Sequence, residues 1–63
     1  MKTEITTNGN VWFSFEHKKG ISLKKALEHA KGMHKKVIDA NILENVQTYV
    51  KKSNGEKFFV ENE

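Results

Sequence analysis

Apolar and polar residues alternate in two stretches of the chain, one near each end, and each stretch is interrupted by an Asn-Gly pair. Alternation with a period of two is typical of half-buried strands, and Asn-Gly between such runs is the strongest short-range signal for a hairpin. Asn8-Gly9 and Asn54-Gly55 therefore predict two β-hairpins that bracket the chain.

The register of each hairpin follows from the loop length that sorts side chains cleanly between two faces, because a one-residue slip moves every side chain to the other face. A three-residue loop at residues 7–9 pairs Ile5 with Val11 and places Val11, Phe13 and Phe15 on one face, with Trp12 opposite. A three-residue loop at residues 53–55 pairs Val50 with Phe58. It leaves Tyr49 and Phe59 on the same face as Trp12.

The segment between the hairpins carries a helical pattern. Ser22 is a favourable N-cap residue, the apolar positions that follow it have the spacing i, i+3, i+4, i+7, and Gly32 suits the C′ position: Leu23, Ala26, Leu27 and Ala30. Residues 37–40 predict either a connecting strand or an extended loop. The expected fold is a single α+β domain over residues 1–63, a two-layer ββαββ sandwich with one helix on one face of an antiparallel sheet.

Charge divides the chain unevenly. All eleven basic residues are lysines, and seven of them lie between His17 and Lys36 with one acid, Glu28, which makes that segment +6. The remaining residues hold four lysines against seven acids, or −3. A positive region of this density attracts phosphate, nucleic acid or an acidic protein surface.

Four of these lysines surround the predicted N-terminus of the helix, where free backbone N–H groups and the helix dipole favour an anion. We define Lys18, Lys19, Lys24 and Lys25 as the lysine patch, and together with Ser22 they form a candidate anion-binding site. The alternative is an ordinary solvated surface that binds nothing. The spacing of a phosphate-binding Walker loop is missing.

Three aromatic residues, Trp12, Tyr49 and Phe59, are expected on the face of the sheet that a single helix leaves open. Exposed aromatic clusters mark interfaces, so these are candidate partner-binding residues for a second copy, another protein or stacked bases. The alternative is that residues 37–43 cover them, or that they lie singly on the surface.

Residue types that enzymes and metal sites need are few. The chain has no cysteine, and His29 and His34 are five residues apart, which does not place them on one helical face as zinc ligands. No serine is arranged with a histidine and an acid in a recognised catalytic order. We therefore expect no enzyme activity, no metal and no cofactor. No apolar run reaches the roughly 18 residues of a membrane span, so we expect a cytoplasmic protein without membrane contact.

Two resemblances add to this interpretation. Residues 21–60, with ALEHAK at 26–31, LENV at 43–46 and NGEKF at 54–58, resemble small uncharacterised domains of Gram-positive bacteria and their phages, which implies a helix packed on a short sheet. Residues 12–23, WFSFEHKKGISL, are similar, with gaps, to small phage inhibitors of uracil-DNA glycosylase. Those inhibitors are acidic mimics of DNA that dimerise through their sheets, whereas this chain is basic. The likeness implies only a small protein that occupies a partner's surface.

The sequence therefore favours a non-enzymatic interaction protein, expected to be a homodimer, that binds and inhibits a partner protein with an acidic surface. The second hypothesis is a nucleic-acid or phosphate-binding module in which lysines follow phosphates and aromatic side chains stack on bases. Lysines and aromatic residues on opposite faces would disfavour the second hypothesis.

Overall fold

The computed structural model describes residues 1–60 and contains one helix on a four-stranded sheet. In chain order the elements are β1 (Lys2–Thr7), β2 (Asn10–Glu16), α1 (Leu23–Ala40), β3 (Val46–Lys51) and β4 (Lys57–Phe59). The strands lie in the order β2-β1-β3-β4, and each pair of neighbours is antiparallel. The expected ββαββ order and the α+β class are confirmed.

The first hairpin differs from the expected register. Thr7 pairs with Asn10, so the loop is the two-residue Asn8-Gly9, and both residues have the positive φ (51° and 83°) that a type I′ turn needs. A β-bulge then places Val11 and Trp12 opposite Thr6. The expected pairing of Ile5 with Val11 was wrong, because the extra residue of the bulge shifts the register after the turn.

Beyond the bulge the side chains return to the expected faces. Phe13 pairs with Ile5 and Phe15 pairs with Thr3, which puts both phenylalanines on the side of the sheet that carries the helix. Val11 pairs with Thr6 and lies with it on the opposite face. The grouping of Val11 with the two phenylalanines was therefore wrong.

The second hairpin has the expected register. Val50 pairs with Phe58, and the backbone N–H of Lys52 donates to the carbonyl of Glu56 at 2.8 Å across a three-residue loop. Gly55 closes that loop with φ of 90°, a conformation that favours glycine because a side chain would be strained there. This glycine explains why the register could be predicted.

The helix begins where the sequence indicates and ends later. The Oγ of Ser22 accepts a hydrogen bond from the N–H of Lys25 at 3.2 Å, which confirms the N-cap. The helix continues through Gly32 as far as Ala40, and Asn41 caps it in the left-handed conformation with φ of 52°. The prediction that residues 37–40 form a strand or an extended loop was wrong.

The longer helix is explained by contacts beyond Gly32. His34 is buried, and its Nδ1 lies 2.8 Å from the Oγ1 of Thr48 on β3. Burial on this second half of the helix outweighs the roughly 1 kcal/mol by which glycine disfavours a helix interior. Gly32 itself is exposed and has open space around it.

The core is small and lies between the helix and the two central strands. Ala26, Ala30 and Val50 are fully buried and in contact, and Ile5 is also fully buried. Two alanines on the contact face let the helix approach the sheet closely. The helix packs chiefly on β3 and to a lesser extent on β1.

Candidate interaction surfaces

The lysine patch forms at the N-terminal end of the helix, as expected. Its four lysines are exposed, and a turn in which the N–H of Ile21 donates to the carbonyl of Lys18 at 3.3 Å connects the two lysine pairs. Within residues 1–60, the only ion pair joins Lys2 to Glu4 at 3.8 Å, so none of the four lysines of the patch is held in an ion pair there. Ser22 lies at its centre, but its Oγ already accepts the N–H of Lys25.

The charges on the helix run against its dipole. Lys24 and Lys25 lie in the first turn, which contains no acid, and Asp39 lies in the last turn, which contains no base. Each unfavourable charge costs a few tenths of a kcal/mol. Helix stability therefore does not account for lysines at this position.

The three candidate aromatic residues do not form one cluster. Tyr49 is only 7% exposed, its ring lies 5.2 Å from that of Phe59, and the Nζ of Lys57 lies 4.9 Å above it. Trp12 belongs to β2, two strands away from β3 in the sheet. Phe59 and Trp12 remain about half exposed, at 55% and 48%.

Tyr49 has a structural hydrogen bond that the sequence did not reveal. Its hydroxyl donates to the Oε1 of Glu4 at 2.7 Å, and Glu4 is also buried, although both residues lie on the face without the helix. The hydrogen bond to Glu4 and, to a lesser extent, burial raise the pKa of Tyr49 to about 12. Tyr49 is therefore held in the structure, and Phe59 is the accessible aromatic residue of this pair.

The most exposed apolar surface is strand β2, of which sequence reasoning singled out only Trp12. All seven of its residues are exposed, and four of them are large and apolar: Val11 (52%), Trp12 (48%), Phe13 (42%) and Phe15 (44%). A helix is about 10 Å wide, and strands are about 4.8 Å apart, so one helix covers about two strands of four. That geometry was the available signal, and it leaves Phe13 on an edge strand, where it is 42% exposed.

The histidines of the described region are structural or exposed. His17 is buried between the strands and the helix, with its Nε2 2.5 Å from the Oγ1 of Thr3 and its ring centroid 6.1 Å from that of His29. Burial lowers the pKa of His17, and the proximity of His29 and of the N-terminus lowers it further, against an opposing effect of Glu16. Residues 1–60 contain no group of three side chains suited to hold a metal ion.

A second group of lysines lies on the open face of the sheet. Lys2, Lys51 and Lys57 are direct cross-strand neighbours on β1, β3 and β4. Beside them is a shallow depression of about 250 Å³, lined by Met1, Lys2, Glu16, Lys51, Lys52 and Ser53. Like charges directly opposite each other destabilise a sheet, so the stability of the sheet does not account for these three lysines, just as helix stability does not account for the lysine patch.

No protein family, curated protein or solved structure matches this chain. The resemblances noted from the sequence therefore stay predictions. No helix within residues 1–60 is long and apolar enough to cross a membrane.

Proposed function

We propose that this protein is a non-enzymatic interaction protein that binds an acidic surface of a partner protein through its lysine patch. The observation that carries the proposal is the exposure of Lys18, Lys19, Lys24 and Lys25 at one helix end with no acid paired to them within residues 1–60. By occupying that surface, the protein would inhibit whatever else binds there.

The position of the patch strengthens its attraction for acids. Four lysines add to the partial positive charge that the helix dipole places at the same end, and Ser22 holds the first turn in place. Charge of this kind acts over about 8 to 10 Å in physiological salt and raises the rate of encounter with an acidic surface. A protein partner is favoured because every basic residue of the chain is a lysine, and lysine lacks the bidentate fork by which arginine clamps a phosphate or reads a base.

One observation favours the alternative function, binding of single-stranded nucleic acid or phosphate. The cross-strand row of Lys2, Lys51 and Lys57 lies on the open face beside the half-exposed ring of Phe59, which is the combination of phosphate contacts and stacking that single-strand binders use. Glu4 and Glu16 on the same face oppose it. The protein partner therefore ranks first.

A pair of charge-reversal variants tests the proposal. Lys24→Glu with Lys25→Glu reverses half of the patch, and Lys35→Glu with Lys36→Glu makes the same charge change at exposed positions farther along the helix. Partners captured by the immobilised wild type would be identified by mass spectrometry, and their association rates would be measured at several salt concentrations. We expect the first variant to slow association about tenfold or more, whereas the second variant changes it much less.

Two results would contradict the proposal. Equal loss of association in both variants would mean that overall charge, and not the patch, attracts the partner. A nucleic-acid complex of nanomolar affinity at about 150 mM salt would place the alternative function first, because lysine contacts alone give weak binding at that salt concentration. The logarithm of such an affinity falls with the logarithm of the salt concentration, with a slope of about −0.9 for each phosphate neutralised on duplex DNA.

A further inference from the structure

The two edges of the sheet differ in how well they are protected. Strand β4 has three residues and carries Lys57, and a short edge strand with a lysine is protected against pairing with another chain. Strand β2 has seven residues, its only charged side chain is Glu16 at its end, and all of its residues are exposed. A long apolar edge of this kind is a template for another strand.

The backbone groups that face outward on β2 can be assigned from its pairing with β1. The N–H of His17 donates to the carbonyl of Met1 at 3.0 Å, so the hydrogen-bonded pairs alternate from that position and include Phe15 and Phe13. The N–H and C=O groups of the residues between them, Ser14 and Glu16, consequently point away from β1 to the free edge.

We infer that a second copy of this chain pairs with β2 along this edge, antiparallel and centred on Ser14, to form one continuous eight-stranded sheet. In that register Ser14 hydrogen-bonds with Ser14 of the second copy. Phe13 then lies opposite Phe15 of the second copy, and Phe15 opposite its Phe13. These two pairs are not hydrogen-bonded pairs, so their side chains approach most closely and form a cluster of four aromatic rings.

Charge favours a second copy over an acidic or basic strand from another protein. Glu16 is the only charged residue of β2 and Ser14 is the centre of the pairing, so the two Glu16 side chains lie at opposite ends of the paired strands and no like charges oppose each other. A strongly acidic strand would meet Glu16, and a strongly basic strand would meet the lysine patch. The two lysine patches of the dimer lie at opposite ends of the paired strands.

The exposed aromatic area of β2 supplies a part of what a stable dimer needs. Aromatic side chains present about 150–250 Å² each, so Trp12, Phe13 and Phe15 at 42–48% exposure offer roughly 300 Å² per chain. An interface of standard size takes about 800 Å² from each partner. Val11, the polar side chains of β2 and the edge of its backbone contribute to the remainder. The regular part of the pairing begins after the bulge at Val11 and Trp12, which is why Ser14 is the expected centre.

Sedimentation equilibrium of the wild type and two matched variants tests the inference. Phe15→Lys places a charge on the proposed interface, and Phe59→Lys places the same charge at a somewhat more exposed phenylalanine on the opposite edge (55% against 44%). We expect a wild-type dimer of twice 7.3 kDa at micromolar concentration, at least a tenfold weaker dimer for Phe15→Lys, and no comparable change for Phe59→Lys. A wild type that stays monomeric at about 100 μM, or a dimer that Phe59→Lys breaks and Phe15→Lys leaves intact, would overturn the inference.

Backbone amide exchange supplies a second readout that needs no variant. The amides of Ser14 and Glu16 should be protected at high concentration and exchange faster on dilution, whereas those of Phe13 and Phe15 stay protected by β1 at every concentration. Fast exchange of Ser14 and Glu16 at all concentrations would exclude pairing at this edge. Both experiments are independent of the lysine patch, so failure of the dimer leaves the proposed partner binding untouched, and the reverse also holds.

Discussion

Replacing Tyr49 by phenylalanine removes one hydroxyl and leaves the ring in place. That hydroxyl donates to the carboxylate of Glu4 at 2.7 Å, and both residues are more than nine-tenths buried. A hydrogen bond to a charged group contributes about 1.5 to 3 kcal/mol, and a chain of this size has a total stability of about 3 to 9 kcal/mol. Urea denaturation should therefore show Tyr49→Phe losing about a sixth of the free energy of unfolding or more.

The same contact predicts a dependence on pH. The pKa of Tyr49 is raised from 10.0 to about 12 in the folded protein, so the folded state prefers the neutral phenol. The stabilisation is fully present below pH 10, where the unfolded chain also holds its proton, and it is lost as the pH rises through 12. That difference in pKa corresponds to about 2 to 3 kcal/mol.

Absorbance of the phenolate measures this pKa directly, because Tyr49 is the only tyrosine of the chain. The control is the chain unfolded in urea, whose tyrosine should ionise near pH 10. Glu4→Gln replaces the charged acceptor by a neutral one and should move the folded pKa of Tyr49 back toward 10. A folded wild type that ionises near pH 10 would refute the hydrogen bond as the principal cause.

Three further predictions concern the core, the helix cap and a buried histidine. Ile5→Ala should lower the free energy of unfolding by about 2 to 5 kcal/mol, and Phe13→Ala should lower it clearly less because Phe13 is 42% exposed. Denaturation in urea, at a protein concentration low enough to keep the chain monomeric, compares the two variants. Equal losses would contradict the observed packing. Ser22→Ala should cost about 1 kcal/mol by loss of the hydrogen bond from Lys25, measured by thermal unfolding, and an unchanged midpoint would speak against the cap. The pKa of His17 is lowered in the folded protein, so the folded state prefers the neutral ring. The resulting stabilisation is present above pH 6.5 and is lost as the pH falls through the folded pKa of His17. An NMR titration that gave the ring a pKa of 6.5 or more would contradict its burial.

The elements were predictable where a local signal decided them. Ser53-Asn54-Gly55 forms the expected loop because Gly55 occupies a conformation that other residues avoid, and Ser22 caps the helix because its hydroxyl reaches a free N–H. Asn8-Gly9 marked the first turn equally well. Its register was missed because a bulge at Val11 and Trp12 follows the turn, and no local sequence signal marks that bulge.

The candidate surfaces were predictable to a smaller extent. The lysine patch needed only the helix start and was placed as expected. The exposure of the aromatic residues could be known only from the tertiary structure. Tyr49 is buried and hydrogen-bonded to Glu4, which lies 45 residues away in the sequence. Strand β2 is exposed because the helix covers the two central strands. The helix was also predicted to end at Gly32, whereas it continues to Ala40 because His34, in its second half, contacts β3.

The first strand of the chain is a central strand of the sheet, and this affects the order in which the protein can form on the ribosome. β1 can pair with β2 as soon as the hairpin leaves the exit tunnel, but its other neighbour, β3, is synthesised only after the whole helix. Until β3 has been made, both edges of the hairpin are open. The hydrogen bond between Tyr49 and Glu4 joins residues 45 positions apart, so the sheet can be completed only after most of the chain has been made. The rate of that last step depends on closing the long loop between the two residues.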